Sequence, residues 1–223
     1  MRALNKYLAL ASAAAALVTV AKADIAMYVY DYTTNVGQVV SEGDVGLDIN
    51  PLTNAITFNG NVGIWNLQVS TGVLAGTTSS PILHLNTVVG TFGADATGGT
   101  IGVGFFGTGF GPSDGSVTSA ISVNTPGSVW FTTYGGNSND LDDLSVLLTS
   151  GTYTGVSAGS QSANILSAGP YSLTEWVLIT HDAGNQVTSI DATMTVPDAG
   201  TTGLLLGLGL LGLVGAARRT KMV

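Results

Sequence analysis

The sequence predicts an all-β protein. The expected form is a single antiparallel β-sandwich of jelly-roll type, with a signal helix before it and a transmembrane helix after it. Three observations predict the sheet. From Ala23 through Ala217 there is no Lys or Arg, and Glu42 and Glu175 are the only glutamates, so the straight-chain charged helix formers are almost absent. Glycine accounts for 31 of 223 residues, about twice the usual ~7%. Between the glycines lie short runs of Val, Ile, Thr and aromatics, the residues that fit a pleated, half-buried surface. The chain is 45% hydrophobic, which excludes disorder on composition.

The strands follow in order. Residues 25–32 (IAMYVYDY) alternate Ile25, Met27 and Val29 on one face with Tyr28, Tyr30 and Tyr32 on the other. Residues 55–59 and 62–69 flank Gly60-Asn61, a tight hairpin signal. Residues 82–89, 100–106, 116–123 and 128–134 are each bounded by Gly, Pro, Asn or Asp. Residues 144–149 form a short apolar run, a strand or one helical turn. Residues 151–169, rich in Ser, Gly and Ala, read as a loop. Residues 171–180 and 187–196 flank 181–186 as a hairpin with a loop. No internal repeat is visible. Strands at this spacing suggest a sandwich.

The charges are segregated. The net charge is −8, but all six cations sit at the ends: Arg2, Lys6 and Lys22, then Arg218, Arg219 and Lys221. All fourteen acids lie from Asp24 to Asp198, so that segment carries −14. Nucleic-acid binding is excluded, because phosphate neutralisation needs Lys or Arg. With no cysteine, disulfides, thiol nucleophiles and Cys-ligated metals are excluded as well.

The ends read as targeting segments. Arg2 and Lys6 precede the apolar residues 7–20, and Ala21-Lys22-Ala23 is an A-x-A cleavage site, so residues 1–23 are expected to be a signal peptide removed by signal peptidase. Near the other end, residues 201–217 are apolar and long enough for a short membrane span, followed by the basic tail 218–223. Arg218, Arg219 and Lys221 are expected to stay cytoplasmic. The acidic segment 24–195 is then the exported domain.

Val196-Pro197-Asp198-Ala199-Gly200, the apolar span and the terminal Arg pair together resemble a PEP-CTERM protein-sorting tail over residues 196–221. They are closest to the variant whose motif begins Val-Pro-Asp. The resemblance implies an exosortase-like membrane transpeptidase as partner, acting on Val196, Pro197 and Asp198. It also implies a membrane-anchored precursor and a final place on the bacterial cell surface or in the extracellular matrix, where exopolysaccharide is an expected neighbour.

Within the domain, two familiar patterns lack their context. Gly102 to Gly107 spells GxGxxG, but Thr108-Gly109-Phe110-Gly111-Pro112 follows where a phosphate-binding helix should start. Gly155 to Gly159 spells GxSxG, but its Gly/Ser/Thr flanks do not provide the strand and helix of a nucleophile elbow. His84 and His181 read as strand-face polar residues. Asp140, Asp142 and Asp143 form the densest oxygen-donor cluster and are candidate Ca²⁺ ligands, with Glu42, Asp44 and Asp48 a thinner second set. Tyr28, Tyr30, Tyr32, Trp65, Trp130, Tyr134 and Trp176 are candidates for a sugar-stacking surface.

The preferred expectation is a non-enzymatic, exported surface or matrix protein without a cofactor. A glycan- or calcium-binding adhesion module is the alternative. A secreted hydrolase is more remote, because no spacing assembles its carboxylates.

Overall fold

The computed structural model describes residues 24–92, 97–112, 115–141, 143–167 and 169–197. The expected signal segment with Ala21 and Ala23 lies outside the described residues. So do Asp142, Asp198, the apolar span 201–217, Arg218, Arg219 and Lys221. Among the described residues there is no helix.

The described residues form ten strands: β1 Ile25–Asp31, β2 Val36–Ser41, β3 Ala55–Val62, β4 Trp65–Thr77, β5 Ser80–Thr91, β6 Gly99–Phe110, β7 Ser116–Gly136, β8 Val146–Asn164, β9 Tyr171–His181 and β10 Gln186–Thr195. Every pairing is antiparallel, in the order β2-β1-β6-β9-β7-β10-β5-β4-β3, with β8 along the other side of β7.

The long strand β7 turns this sheet into a sandwich. Its residues 118–124 pair with β10, and residues 128–136 pair with β9. Thr125-Pro126-Gly127 is the fold line. Pro126 has no N–H to offer a ladder, Gly127 donates its N–H to Thr125 Oγ1 at 3.1 Å, and a side chain at Gly127 would strike the Thr180 carbonyl. One layer is therefore β2-β1-β6-β9 with the second half of β7. The other is β3-β4-β5-β10 with its first half. β8 folds with β7 at Gly155, whose φ is +63°. Across that fold the Gln161 amide donates to the Ser150 carbonyl at 2.9 Å and accepts from its N–H at 3.3 Å.

The core lies between the layers. Met27, Val29, Val103, Phe105, Leu173 and Val177 from one layer face Trp65, Leu67, Leu83, Leu85 and Met194 from the other, all at 1% exposure or less. Phe105 crosses the gap and lies on Gly72 of β4, where no side chain would fit. Near β7 and β8 hydroxyls replace hydrocarbon. Ser119 Oγ bonds Thr133 Oγ1 at 3.2 Å, which bonds Thr149 Oγ1 at 2.8 Å, all buried.

Four local expectations are corrected. The first hairpin turns at Gly63-Ile64, not at Gly60-Asn61. A register shift after Phe58 carries Gly60 and Asn61 inside β3, and Gly63 takes the positive φ, +59°. Residues 116–123 and 128–134 are one bent strand. Residues 151–164 belong to strand β8 rather than a loop, and residues 146–149 begin it. β2 has no counterpart among the expected strands.

Candidate functional site

Residues alternate across a strand, so the outward face of β1 carries Ala26, Tyr28 and Tyr30, with Tyr32 just beyond the strand. The sheet order places β6 beside β1 and β9 beside β6, which brings outward Phe106 and Trp176 to the same face. Tyr28 stacks on Trp176 with ring centroids 5.7 Å apart and on Tyr30 at 5.8 Å. Tyr32 meets Tyr30 edge to face at 4.9 Å, and Phe106 meets Trp176 in the same manner at 6.0 Å. These are the favoured geometries for aromatic pairs.

The glycines of β6 make the arrangement possible. A Cβ on Gly102 would lie 2.7 Å from Trp176 Cζ2, and one on Gly104 would strike the same indole. The indole therefore lies flat on bare backbone. This is the physical role of the GxGxxG stretch, which sits inside a strand. On β2, Gly37 leaves room for the Tyr30 ring in the same way, with 2.6 Å to its Cδ2. Tyr32 is 48% exposed, while Tyr28, Tyr30 and Trp176 are half-buried. Burial, and after it the neighbouring phenols, raise the Tyr28 and Tyr32 pKa values, so both hydroxyls stay protonated and can donate. Beside this aromatic row lies a wholly apolar depression of about 360 Å³, floored by Ala26, Phe106 and Trp176 and walled by Val39, Leu141 and Leu144.

The other aromatic candidates divide. Trp130 is 39% exposed and donates from Nε1 to Ser150 Oγ at 2.8 Å. Trp65 is in the core, 4.8 Å from the His181 ring, and belongs to no surface.

The two histidines separate as well. His84, on an outer face, pairs with Asp191 at 2.7 Å. His181 is buried rather than on a polar strand face. Its Nε2 meets Thr188 Oγ1 at 2.7 Å, and Thr188 Oγ1 meets Thr125 Oγ1 at 2.6 Å. Burial lowers its pKa from 6.5 to about 4, so the ring is neutral.

Four of the described acids, Asp31, Glu42, Asp48 and Asp143, accept backbone N–H groups. Asp31 Oδ1 accepts from Thr33 and Thr34 N–H, and Oδ2 accepts from Ile64 N–H at 3.1 Å and from Thr34 Oγ1 at 2.6 Å. Burial alone would raise its pKa. The four bonds outweigh burial and hold it low. Asp48 accepts from Gly43, Asn50 and Thr57 N–H, and Glu42 Oε1 from Asn54 N–H. Asp143, of the calcium candidates, accepts from Ser145 N–H and from Ser138 N–H and Oγ, and these bonds hold its carboxyl well below the usual range. Among the described residues no three acidic or His side chains come together as a metal cluster.

Glu175 is different, and nothing in the sequence singles it out beyond the rarity of glutamate. It shares the inward face of β9 with Leu173 and Val177, is fully buried, and among the described residues has no hydrogen-bond partner on either oxygen. Burial, reinforced by the Asp191 charge, raises its pKa well above 4.5 and so favours the protonated, neutral acid.

The last described residues leave the sheet in a defined way. Val196 is fully buried, donates its N–H to the Pro81 carbonyl at 3.0 Å, and its carbonyl accepts from Ser80 Oγ at 2.8 Å. Pro197 is exposed.

Residues 195–221 match the VPDSG-CTERM motif, a sorting motif of the PEP-CTERM-like kind. The chain therefore carries a sorting motif whose first residue, Thr195, ends the last strand. No curated protein is similar enough to the chain to count as a relative. Among solved structures, the K1 cleaved adhesin domain of Lys-gingipain from Porphyromonas gingivalis W83 is 13% identical. The match covers 66% of this chain and 93% of that one, with a TM-score of 0.38. A carbohydrate-binding module of the β-sandwich superfamily is 13% identical over 75% of this chain and 70% of its own, at 0.33. TmCBM61, solved with β-1,4-galactotriose, is 9% identical over 64% and 88%, at 0.29. Scores this low carry no argument about function.

Proposed function

We propose that the chain is an exported, non-enzymatic surface or matrix protein, delivered by an exosortase-like transpeptidase acting on its C-terminal motif. In this reading residues 1–23 are a cleaved signal peptide, residues 24–195 the exported domain, and residues 201–217 a transient membrane anchor. The observation that carries it is the sorting motif at 195–221, directly after β10. The test uses Pro197→Ala with Asp198→Ala and leaves Val196 alone, because Val196 is core. Cell fractionation and gel mobility of the double variant should show a longer chain retained in the inner membrane. Unchanged size and location would overturn the reading.

The aromatic face favours a second reading, compatible with the first: the domain holds a neutral glycan. Sugar rings present C–H faces that stack on aromatics, and the phenols supply hydrogen-bond donors. With no Lys or Arg among residues 24–197, an acidic polysaccharide would meet only repulsion. Tyr32→Ala is the clean probe, since Tyr32 is the most exposed member of the row. It should weaken retention in affinity electrophoresis through neutral polysaccharide gels by about tenfold, a loss of roughly 1.4 kcal/mol. Equal mobility of wild type and variant in every gel would remove this reading.

A further inference from the structure

The β7–β8 ribbon has properties unlike the rest of the molecule. Among the described residues β8 pairs with β7 alone and touches no other strand, so one edge is open along its 19 residues. Thr149 is its single buried residue. The open edge carries the N–H and C=O groups of alternate residues, of which those of Ser150 are covered by Gln161. Proteins guard such edges with lysine, proline, inward charges or very short strands. β8 contains no proline and no charged residue, and neither β7 nor residues 144–174 contain a charge of either sign. Leu148 and Tyr153 pack against the core, but three apolar side chains near this edge are turned outward: Val156 is 86% exposed, Leu147 58% and Trp130 39%.

Charge narrows the partner. Residues 24–198 carry fourteen acids and no Lys or Arg, so two copies repel one another across most faces. The ribbon carries no charge of its own, and Asp191 of β10, which lines a recess with Ala158 and Ser160, is the acid beside it, so that repulsion is weakest there. Small side chains (Gly, Ala, Ser and Thr) fill most of 149–163 and let a second backbone come close. An antiparallel strand meeting its own copy satisfies two-fold symmetry without further design, since one edge supplies both sides. We propose that β8 is a homotypic docking edge: a second copy of this chain adds its own β8 antiparallel to it and extends the sheets across the dimer. This does not depend on how the chain is sorted or on what the aromatic face binds.

The absence of cysteine gives a clean test. Single cysteines are placed in turn at Thr152, Thr154, Ala158 and Ser160, exposed positions on both arms of β8, in the purified full-length chain in detergent. A control cysteine replaces Val45, 98% exposed and on another surface. A short bis-maleimide should double the mass of the β8 variants and leave Val45→Cys monomeric. Adding Val156→Lys, a substitution at a solvated position, should reduce the cross-linked fraction at least tenfold while the melting temperature stays unchanged. Cross-linking that is equal at Val45 and β8, that persists after the Val156→Lys substitution, or that is absent from every β8 position would overturn the proposal. A dimer held through the apolar tail alone gives the first of these outcomes.

Discussion

Glu175 and His181 give the fold a pH profile that can be worked out in sign and size. The folded Glu175 carboxyl keeps its proton above the ordinary pKa of 4.5, whereas the unfolded chain releases it there. Above pH 4.5 the native state binds more protons than the unfolded one. Stability then falls by about 1.4 kcal/mol per pH unit until the folded carboxyl ionises. His181 acts in the opposite direction. Its folded pKa is about 4 against 6.5 unfolded, so the unfolded chain binds the extra proton in that window. Stability contributed by the neutral ring is complete above pH 6.5 and lost as pH falls toward 4, a total of about 3 kcal/mol. Between pH 4.5 and 6.5 the two slopes cancel. The expected profile is a plateau there, followed above pH 6.5 by a decline that lasts for as long as the folded Glu175 carboxyl keeps its proton. Urea unfolding followed by tryptophan fluorescence reads this directly, since Trp65 is buried against His181. Glu175→Gln should remove the decline above pH 6.5 and leave a stability that rises from pH 4 to 6.5. Glu175→Leu should do the same, so the slope and not the absolute stability is the readout. A wild-type stability that rises between pH 4.5 and 6.5 as steeply as in both variants, or a decline above pH 6.5 that survives in both, would refute the buried-acid argument.

Other outcomes follow from the packing. Gly104→Ala places a methyl group where the Trp176 indole lies, and should cost about 2 kcal/mol and shift the fluorescence of Trp176 in a Trp65→Phe, Trp130→Phe background. Asp31→Ala leaves the N–H groups of Thr33, Thr34 and Ile64 without their acceptor and frees the Gly63 turn. A loss of about 3 kcal/mol in denaturant unfolding is expected. Asp143→Ala should cost about 1 kcal/mol in the same assay, because its three bonds are near solvent. Raising NaCl from about 0.01 to about 0.5 M should raise the melting temperature by screening the acidic surface, and a flat curve would show the acids are too dispersed to repel.

Strands with a buried face were legible in the sequence, and strands without one were not. β1 alternates because Ile25, Met27 and Val29 enter the core, and the β9–β10 hairpin alternates for the same reason. β2 and β8 lie at sheet edges with few buried side chains, so their strand character comes from ladders that no local pattern records. The first hairpin was misplaced because its turn is fixed from a distance: Asp31, 33 residues before Ile64, accepts the Ile64 N–H. Half of the aromatic face was visible as the tyrosine row of β1. The other half, Phe106 and Trp176, joins it only through the strand order β1-β6-β9. Trp65 and Trp176 are both tryptophans on strands. Nothing near either one separates the indole beside His181 in the core from the indole that lies on Gly102 and Gly104 outside.

A domain without Lys or Arg must place its acids where no cation is needed, and the turns are where it does so. Asp31, Glu42, Asp48 and Asp143 sit at turns, each taking backbone N–H groups that strands leave behind when they reverse. Peptide dipoles supply the positive potential these carboxylates require, and unlike a lysine they do not attract a neighbouring copy. Of the long strands between those turns, β9 and β10 carry one acid each, and β7 and β8 carry none. Acids at the turns repel other copies end on, Asp191 adds a charge on the outer face of β10, and the uncharged β8 edge leaves lateral approach open. That division of the surface is the physical basis for expecting such chains to associate side by side.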